Sequence, residues 1–297
     1  MTRMQARMLP DGLRLHLSDG PIDLIISAEG TSAHVELAYG LAQQRFETIL
    51  DELCAELTLL RAPTDRNPQG RVAQRMWSAT CGHAVNAFIT PMAAVAGAVA
   101  EEVLAAMTSS VPLGRAYVNN GGDIAFHLAP PHHFQVGLID NPEQPSLFAQ
   151  ARIAWSDPVR GIATSGWRGR SFSFGIADAV TVLAASASAA DAAATMIANA
   201  VDLPGHRAIL RVPATDLQPD SDLGKRRVTQ GVGILSPFEV TAALDRGVRL
   251  AQIMIDNAAI AACALRLQGV TRNVQAQPDR RTAHHASGQG RKIHRHR

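Results

Sequence analysis

The chain has 297 residues, of which 46% are hydrophobic and only 4% aromatic, and its formal net charge is +2. This length and hydrophobic content support a buried core and exclude a natively disordered chain. The small net charge indicates no nucleic-acid partner, and three widely spaced cysteines do not make a disulfide framework.

The first 60 residues predict a small sheet covered by a helix. Residues 13–17, 22–26 and 33–37 alternate apolar and polar side chains between Asp-Gly and Glu-Gly turn signals, which is typical of antiparallel strands. Across residues 41–60 the apolar positions recur every three or four residues, as on one face of an amphipathic helix. We therefore expect that helix to pack on the sheet.

The rest of the chain alternates groups of strands with single helices. Thr90-Pro91 is a strong helix start, because the hydroxyl can cap free amides and Pro fits the first helical position. Helices are predicted over residues 92–107, 187–200 and 238–257, and strands over 115–118, 123–128, 134–139, 148–155, 161–164, 207–212, 228–235 and 260–267. This order predicts an α+β fold of mainly antiparallel sheets with Ala-rich helices packed against them, in two halves that share one core.

One large domain is predicted over residues 1–269, followed by a tail over 270–297. The tail is rich in Arg and His and has too few apolar residues to offset the entropy of ordering it, so we expect a disordered, basic segment. No apolar run resembles a signal peptide, and the best membrane candidate, residues 92–107, is short and contains Glu101 and Glu102. These features favour a cytoplasmic protein without a membrane partner, and its Ala-rich helices leave a homo-oligomer open.

A polar, glycine-rich segment lies between two predicted strands at residues 117–124. Asn-Gly favours a type I′ hairpin turn, which is a purely structural explanation. The same geometry lets the backbone approach a phosphate-bearing ligand, with a carboxylate beside it for a hydroxyl or amine. The residues that would form this pocket are Asn119, Asn120, Gly121, Gly122 and Asp123.

Two further segments carry chemistry-bearing side chains. Thr164 and Ser165 precede Gly166 at a strand end, but Ser165 lacks the flanking glycines of a nucleophile elbow, which disfavours a serine hydrolase. Asp191 and Thr195 are four apart on a predicted helix and share one face, so their oxygens could converge on Mg²⁺. The alternative is structural: Thr195 bonds back to the helix backbone and Asp191 is favoured by the helix dipole.

Taken together and in order, these segments resemble the ApbE superfamily, the FAD:protein FMN transferases. The similar segments are residues 118–124, 136–142, 163–166 and 180–184, followed by Asp191 and Thr195. In that family FAD binds with Mg²⁺, and FMN passes to a threonine of a target protein with release of AMP. The resemblance implies a single T-fold-related domain, FAD or FMN and Mg²⁺ as cofactors, and a protein acceptor as partner.

The resemblance also implies roles for individual residues. Asp191 and Thr195 correspond to the metal ligands, and Gly121, Gly122 and Asp123 to part of the nucleotide pocket. We further predict a catalytic role for Asp178, which lies where a catalytic segment of the family ends. The remaining predicted site residues are Thr164 and Ser165 for catalysis and Asn119, Asn120 and Gly166 for cofactor binding.

Two departures from the family pattern bear on the activity. Residues 170–178 replace the family's His-Ile-Ile-Asp-Pro-Arg-Thr-Gly segment, and the helix start at residues 90–97 has no lysine. With Ser-Asp-Leu-Gly at 221–224 and Leu-Gln-Gly at 267–269, these features resemble the short cytoplasmic UPF-type branch of archaea and methylotrophic bacteria, some of whose genes accompany tetrahydromethanopterin-linked one-carbon metabolism. Three functions therefore stay open: Mg-assisted phosphoryl or nucleotidyl transfer with a flavin nucleotide, a role in one-carbon metabolism with a pterin ligand, and non-catalytic cofactor binding or assembly.

Overall fold

The computed structural model describes residues 3–63, 65–85, 87–139 and 147–276. Its strands are β1 (Gln5–Met8), β2 (Leu15–Asp19), β3 (Ile22–Glu29), β4 (Arg115–Asn120), β5 (Asp123–Leu128), β6 (His133–Ile139), β7 (Leu147–Ala154), β8 (Gly161–Ser165), β9 (Ala179–Ala184), β10 (Ile209–Pro213), β11 (Arg227–Val232), β12 (Ala262–Leu267) and β13 (Val270–Gln275). Its α-helices are α1 (Ser32–Ala55), α2 (Leu57–Leu60), α3 (Arg71–Thr80), α4 (Val95–Thr108), α5 (Ala187–Ala200), α6 (Ala214–Leu217) and α7 (Pro237–Asp256), and a 3₁₀ turn at Pro91–Ala94 precedes α4.

Nine strands form one antiparallel sheet in the order β1-β2-β3-β4-β5-β8-β9-β12-β13. Neighbouring strands of this sheet also follow one another along the chain, except that two pairs of strands lie outside the sheet. In the sequence, the β6–β7 hairpin connects β5 to β8, and the β10–β11 ribbon connects α5 to α7. This architecture confirms the predicted α+β class with mainly antiparallel sheets.

The core consists of two large apolar clusters and a smaller third. One cluster joins α1, α3 and α4 to strands β2 to β4, and the other joins α5 and α7 to β8, β9 and β12. Ala187 at the start of α5 belongs to the cluster of the first half, so the two halves meet where α4 packs on α5. The third cluster packs the β6–β7 hairpin against Phe126, Leu128 and Ile162 of the main sheet.

Close approach of α5 to its neighbours depends on glycine at two positions. A methyl group on Gly97 of α4 would lie 2.3 Å from the carbonyl oxygen of Ala187, and one on Gly161 of β8 would lie 2.2 Å from the Ala187 nitrogen. Both distances are far below van der Waals contact, and both partners are backbone atoms that cannot rotate away. These glycines therefore hold the first turn of α5 against α4 and the sheet.

The sequence prediction was wrong in one element of the first half. Residues 33–37, predicted as a strand, belong to α1, which begins at Ser32 after an N-cap in which Thr31 accepts a hydrogen bond from the nitrogen of His34. The N-cap favours a helix, and so does the helical spacing of the buried residues Ala38, Ala42 and Phe46. Together they outweigh the strand signal from five residues of alternating polarity. Helix α3 has no counterpart among the predicted elements.

The last strand changes the predicted domain boundary. Residues 270–275, predicted as part of the tail, form β13 and pair with β12 from Leu267↔Val270 to Ala262↔Gln275. Val274 is buried in the core of the second half, which explains why this segment joins the sheet. The remainder of the predicted tail, residues 277–297, lies outside the described residues.

One stretch of the described chain, Pro91–Thr108, has the length and mean hydropathy (1.3) of a membrane-crossing helix. Half of it is buried within the protein. Its buried positions include Val99 and Val103, which pack in the core of the first half. A core helix between two layers meets the same criteria of length and hydropathy.

Candidate functional site

The β4–β5 turn, the end of β8, the start of α4 and the middle of α5 meet at one place. Asp123 accepts a hydrogen bond at Oδ1 from the backbone nitrogen of Thr164 (3.2 Å). Asp191 accepts one at Oδ2 from the backbone nitrogen of Gly97 (3.0 Å). Helix α5 packs against β5 and β8, and the charge of Asp123 contributes to the raised pKa of Asp191, so the two carboxylates lie within electrostatic reach of each other. We call Asp123 and Asp191 the carboxylate pair.

The turn beside the carboxylate pair has the predicted hairpin form. Gly121 (φ 67°) and Gly122 (φ 112°) both lie at positive φ, as a type I′ turn requires. Asn119 Oδ1 accepts a hydrogen bond from the nitrogen of Gly122 (2.8 Å), and buried Asn120 donates from Nδ2 to the carbonyl oxygen of Ala96 (3.2 Å). The second bond ties the turn to the start of α4, so the hairpin also positions the carboxylate pair.

Both members of the pair are shifted toward their neutral forms. Burial raises the pKa of Asp123 to about 7, against a smaller lowering by the hydrogen bond from Thr164. Burial also raises the pKa of Asp191 well above its ordinary value, and the charges of Asp123 and Glu101 raise it further, whereas the amides of Gly97 and Ala96 lower it. Two neighbouring desolvated acids retain a proton near neutral pH, or else are neutralised by a cation.

Asp191 lies at a helix N-terminus, but the helix is α4 rather than its own α5. The amides of Ala96 and Gly97, in the first turn of α4, both hydrogen-bond to it. The helix dipole favours a carboxylate there, which accounts for part of its role structurally. Thr195 follows one helical turn later on α5 and is half-buried.

The end of β8 brings the second predicted segment to the site. Thr164 is exposed, donates its backbone N–H to Asp123 and shares a hydroxyl–hydroxyl hydrogen bond of 2.8 Å with Thr181 of β9. Ser165 is half-buried next to it. Gly166 is buried, and a methyl group there would lie 2.5 Å from the carbonyl oxygen of Asp178. Packing against that backbone therefore explains glycine at position 166 without a ligand.

Asp178 is hydrogen-bonded to groups outside the carboxylate pair. Its Oδ1 accepts hydrogen bonds from Trp167 Nε1 (3.1 Å) and Arg168 Nε (2.8 Å), and its Oδ2 accepts one from the backbone nitrogen of Gln268 (2.5 Å). Gln268 has φ 44° in the β12–β13 turn, so the carboxylate stabilises a backbone conformation that is unfavourable for glutamine. Within the described chain, no hydrogen bond joins Asp178 to Asp123 or Asp191. These contacts are those of a positioning residue.

Several contributors were missed from the sequence. The amides of Ala96 and Gly97 belong to a helix 94 residues before Asp191, and no local pattern links them. Glu101 binds the start of α5 by accepting hydrogen bonds at Oε1 from the nitrogen (2.6 Å) and hydroxyl (2.9 Å) of Ser188.

The expected Mg²⁺ site at Asp191 and Thr195 stays a prediction. Among the described residues, no group of three or more His, Cys, Asp and Glu side chains is placed to hold a metal ion. The carboxylate pair with Thr195 offers at most three oxygen-bearing side chains. Two surface cavities, of about 520 Å³ beside Arg75 and Ser188 and about 440 Å³ beside Phe238, are not lined by the carboxylate pair.

Comparison with known proteins agrees with this architecture. A family model described as "AbpE bacteria" matches residues 6–273. A UPF0280 protein of Methanothrix thermoacetophila is 34% identical over 203 residues, covering 65% of this chain and 78% of that protein. A UPF0280 protein of Methanosphaerula palustris is 36% identical over 158 residues, covering 49% of this chain and 58% of its own length, and several other curated relatives are matched over about half of their length.

Two solved structures are similar at lower identity. They are the Vibrio cholerae flavin transferase ApbE (13% identity, TM-score 0.46, 92% of this chain and 97% of that one) and the apo Pseudomonas stutzeri flavinyl transferase ApbE (11%, TM-score 0.41, 92% and 94%). The match to the family model over nearly the whole described chain places the protein in the ApbE-like superfamily. Within it, the chain belongs to the UPF0280 branch.

Proposed function

We propose that the protein binds a flavin nucleotide, FAD or FMN, or a similar phosphorylated ring cofactor such as a pterin, and acts on its phosphate groups with the help of Mg²⁺. The observation that carries the proposal is the carboxylate pair, Asp123 and Asp191, held beside a glycine turn. Two acids with raised pKa values are costly when ionised, and a bound cation offsets that cost.

The donor set fits Mg²⁺. All its atoms are oxygens, from Asp123, Asp191 and the hydroxyl of Thr195, and a hard cation prefers such ligands. Mg²⁺ commonly takes only one or two carboxylates from protein and completes its shell with water and phosphate oxygens. The small number of protein ligands is therefore what a site for a metal–nucleotide complex requires.

The chain's own groups supply binding and orientation. The turn at Gly121 and Gly122 allows close approach of a phosphate, and its Asn119 bond holds the turn in one conformation. Thr164 is exposed beside Asp123, and its hydroxyl can hydrogen-bond to the ligand there. Mg²⁺ would orient the phosphate oxygens and stabilise the charge that develops on them during transfer to a protein acceptor.

A second candidate is cofactor binding or assembly without turnover. It is favoured by the engagement of Asp178 with Trp167, Arg168 and Gln268, which leaves that carboxylate in a positioning role. The two candidates share the ligand and differ in product. Release of AMP from FAD in the presence of Mg²⁺ distinguishes them.

The test is identification of the bound molecule followed by titration. The protein is purified from its own cells, denatured, and the released small molecules are identified by mass spectrometry; FAD is then titrated with and without Mg²⁺. We expect a flavin nucleotide and Mg²⁺-dependent FAD binding that Asp191→Asn weakens and that the matched control Asp245→Asn, an exposed carboxylate on α7, leaves unchanged. If a pterin is recovered, it replaces flavin as the proposed ligand. If both variants bind FAD independently of Mg²⁺, the proposed metal role is contradicted.

A further inference from the structure

An arginine outside the predicted site lies over the glycine turn. A methyl group placed on Gly121 would lie 3.6 Å from Nη1 of Arg170. Arg170 is exposed, and no described residue forms a hydrogen bond or ion pair with its guanidinium. Its positive charge therefore stands beside the segment at which the proposed ligand would bring its phosphates.

The loop that carries Arg170 is anchored on both sides. Its first turn is closed by hydrogen bonds from the nitrogen of Trp167 to the carbonyl of Ala177 (3.0 Å) and from the nitrogen of Gly169 to the carbonyl of Gly166 (3.1 Å). Arg168 packs over the Trp167 ring at 4.5 Å from its centroid. An exposed arginine ordinarily samples many conformations, but here the backbone two residues before it is fixed.

Asp178 completes this anchoring. It accepts hydrogen bonds from both Trp167 and Arg168, while its second oxygen holds the β12–β13 turn. The negative charge next to the loop is thus paired with Arg168 rather than with Arg170. Arg168 therefore has a structural role, whereas the five N–H donors of Arg170 are available to a ligand.

We propose that Arg170 binds a phosphate group of the ligand above the Asn119–Gly122 turn, an assignment that rests on the proposed function and adds a specificity-determining residue to it. A guanidinium matches two phosphate oxygens with a planar pair of donors. A cation held by the carboxylate pair would supply positive charge to the same phosphate or pyrophosphate, and Arg170 would supply hydrogen-bond donors and a second positive charge. The site thereby selects phosphorylated ligands over their unphosphorylated ring systems.

The experiment measures equilibrium binding of four probes in the presence of Mg²⁺: FAD, FMN, riboflavin and inorganic pyrophosphate. The variants are Arg170→Ala, Arg170→Lys and the control Arg249→Ala, which removes an exposed arginine from α7. Loss of a charge-assisted hydrogen bond to phosphate predicts that Arg170→Ala weakens the phosphorylated probes about 10- to 100-fold. Arg170→Lys keeps the charge and loses less, and riboflavin affinity stays unchanged in every variant.

The outcomes separate this inference from the proposed function. If wild-type protein binds pyrophosphate in an Arg170-dependent manner but neither flavin nucleotide, the flavin assignment fails and the phosphate contact stands. Equal affinity of wild type and Arg170→Ala for the phosphorylated probes overturns the inference even when FAD binds. It is also overturned if Arg170→Ala weakens riboflavin as much as FMN, or if wild type binds no phosphorylated probe.

Discussion

Replacing Asp123 by asparagine changes how stability depends on pH. In the folded protein the pKa of Asp123 is raised to about 7, from an ordinary value of 3.8. A folded-state pKa above the unfolded one means that the folded state binds the proton more tightly, so stability falls as pH rises from about 4 to about 7. Above that range the loss is complete. The Asp123→Asn variant lacks this titration, because an amide does not ionise.

The size of the effect follows from linkage. A shift of about 3 units at about 1.36 kcal/mol per unit gives a cost of about 4 kcal/mol to wild type at pH 8. At pH 5 the same relation gives about 2 kcal/mol, so the stability of Asp123→Asn relative to wild type should rise by about 2 kcal/mol between pH 5 and pH 8. The raised pKa of Asp191 acts in the same direction, because the substitution also removes a charge that raises it.

The assay is urea unfolding of both proteins in metal-free buffer at intervals between pH 5 and pH 8. Taking the difference between the two proteins removes groups that titrate equally in both, such as His83, whose pKa is lowered by burial. Added Mg²⁺ at pH 8 should stabilise wild type and leave Asp123→Asn nearly unchanged. A stability difference that stays constant across this pH range would refute the raised pKa of Asp123.

Three other predictions concern the fold around the site. Gly97→Ala should lower the free energy of unfolding in urea by about 1–3 kcal/mol or more, because the added methyl group overlaps the Ala187 backbone. Gly40→Ala, at an exposed and open helical position, should raise it by about 0.5–1 kcal/mol. Equal effects of the two substitutions would contradict the packing account. Ser236→Ala removes the capping box of α7 and should cost about 1 kcal/mol in the same assay, and no loss contradicts the cap. Asp178→Ala should change the fluorescence of Trp167 by releasing its ring nitrogen, and an unchanged emission spectrum contradicts the anchoring contact.

Local signals in the sequence predict much of the fold. The turn at Gly121 and Gly122 is predicted correctly because its conformation depends on adjacent residues with no side chain. The strand predicted over residues 33–37 fails because alternation over five residues does not distinguish a strand from the first turns of a helix. Thr31 supplied the missing signal as an N-cap, but a threonine before an apolar segment is common in both settings.

The sequence proposes the residues of the candidate site one by one, and it does not reveal how they are arranged. Asp123 and Asp191 were assigned separately to the nucleotide and the metal, and only the packing of α5 on α4 brings their charges together. That packing depends on Gly97, whose role requires knowing that Ala187 lies against it. Arg170 carries no motif at all. Its place over the turn results from contacts of the preceding residues with Asp178, which no local spacing reveals.

Direct measurement of cation binding tests the proposed metal site most simply. Mn²⁺, which takes the oxygen ligands that suit Mg²⁺, is titrated into metal-free protein with pyrophosphate present, and free Mn²⁺ is followed by electron paramagnetic resonance. We predict one Mn²⁺ per chain in wild type and in the control Asp245→Asn, with binding weakened at least about tenfold in Asp191→Asn. Equal binding by all three proteins, or none by wild type, would contradict a cation site at the carboxylate pair.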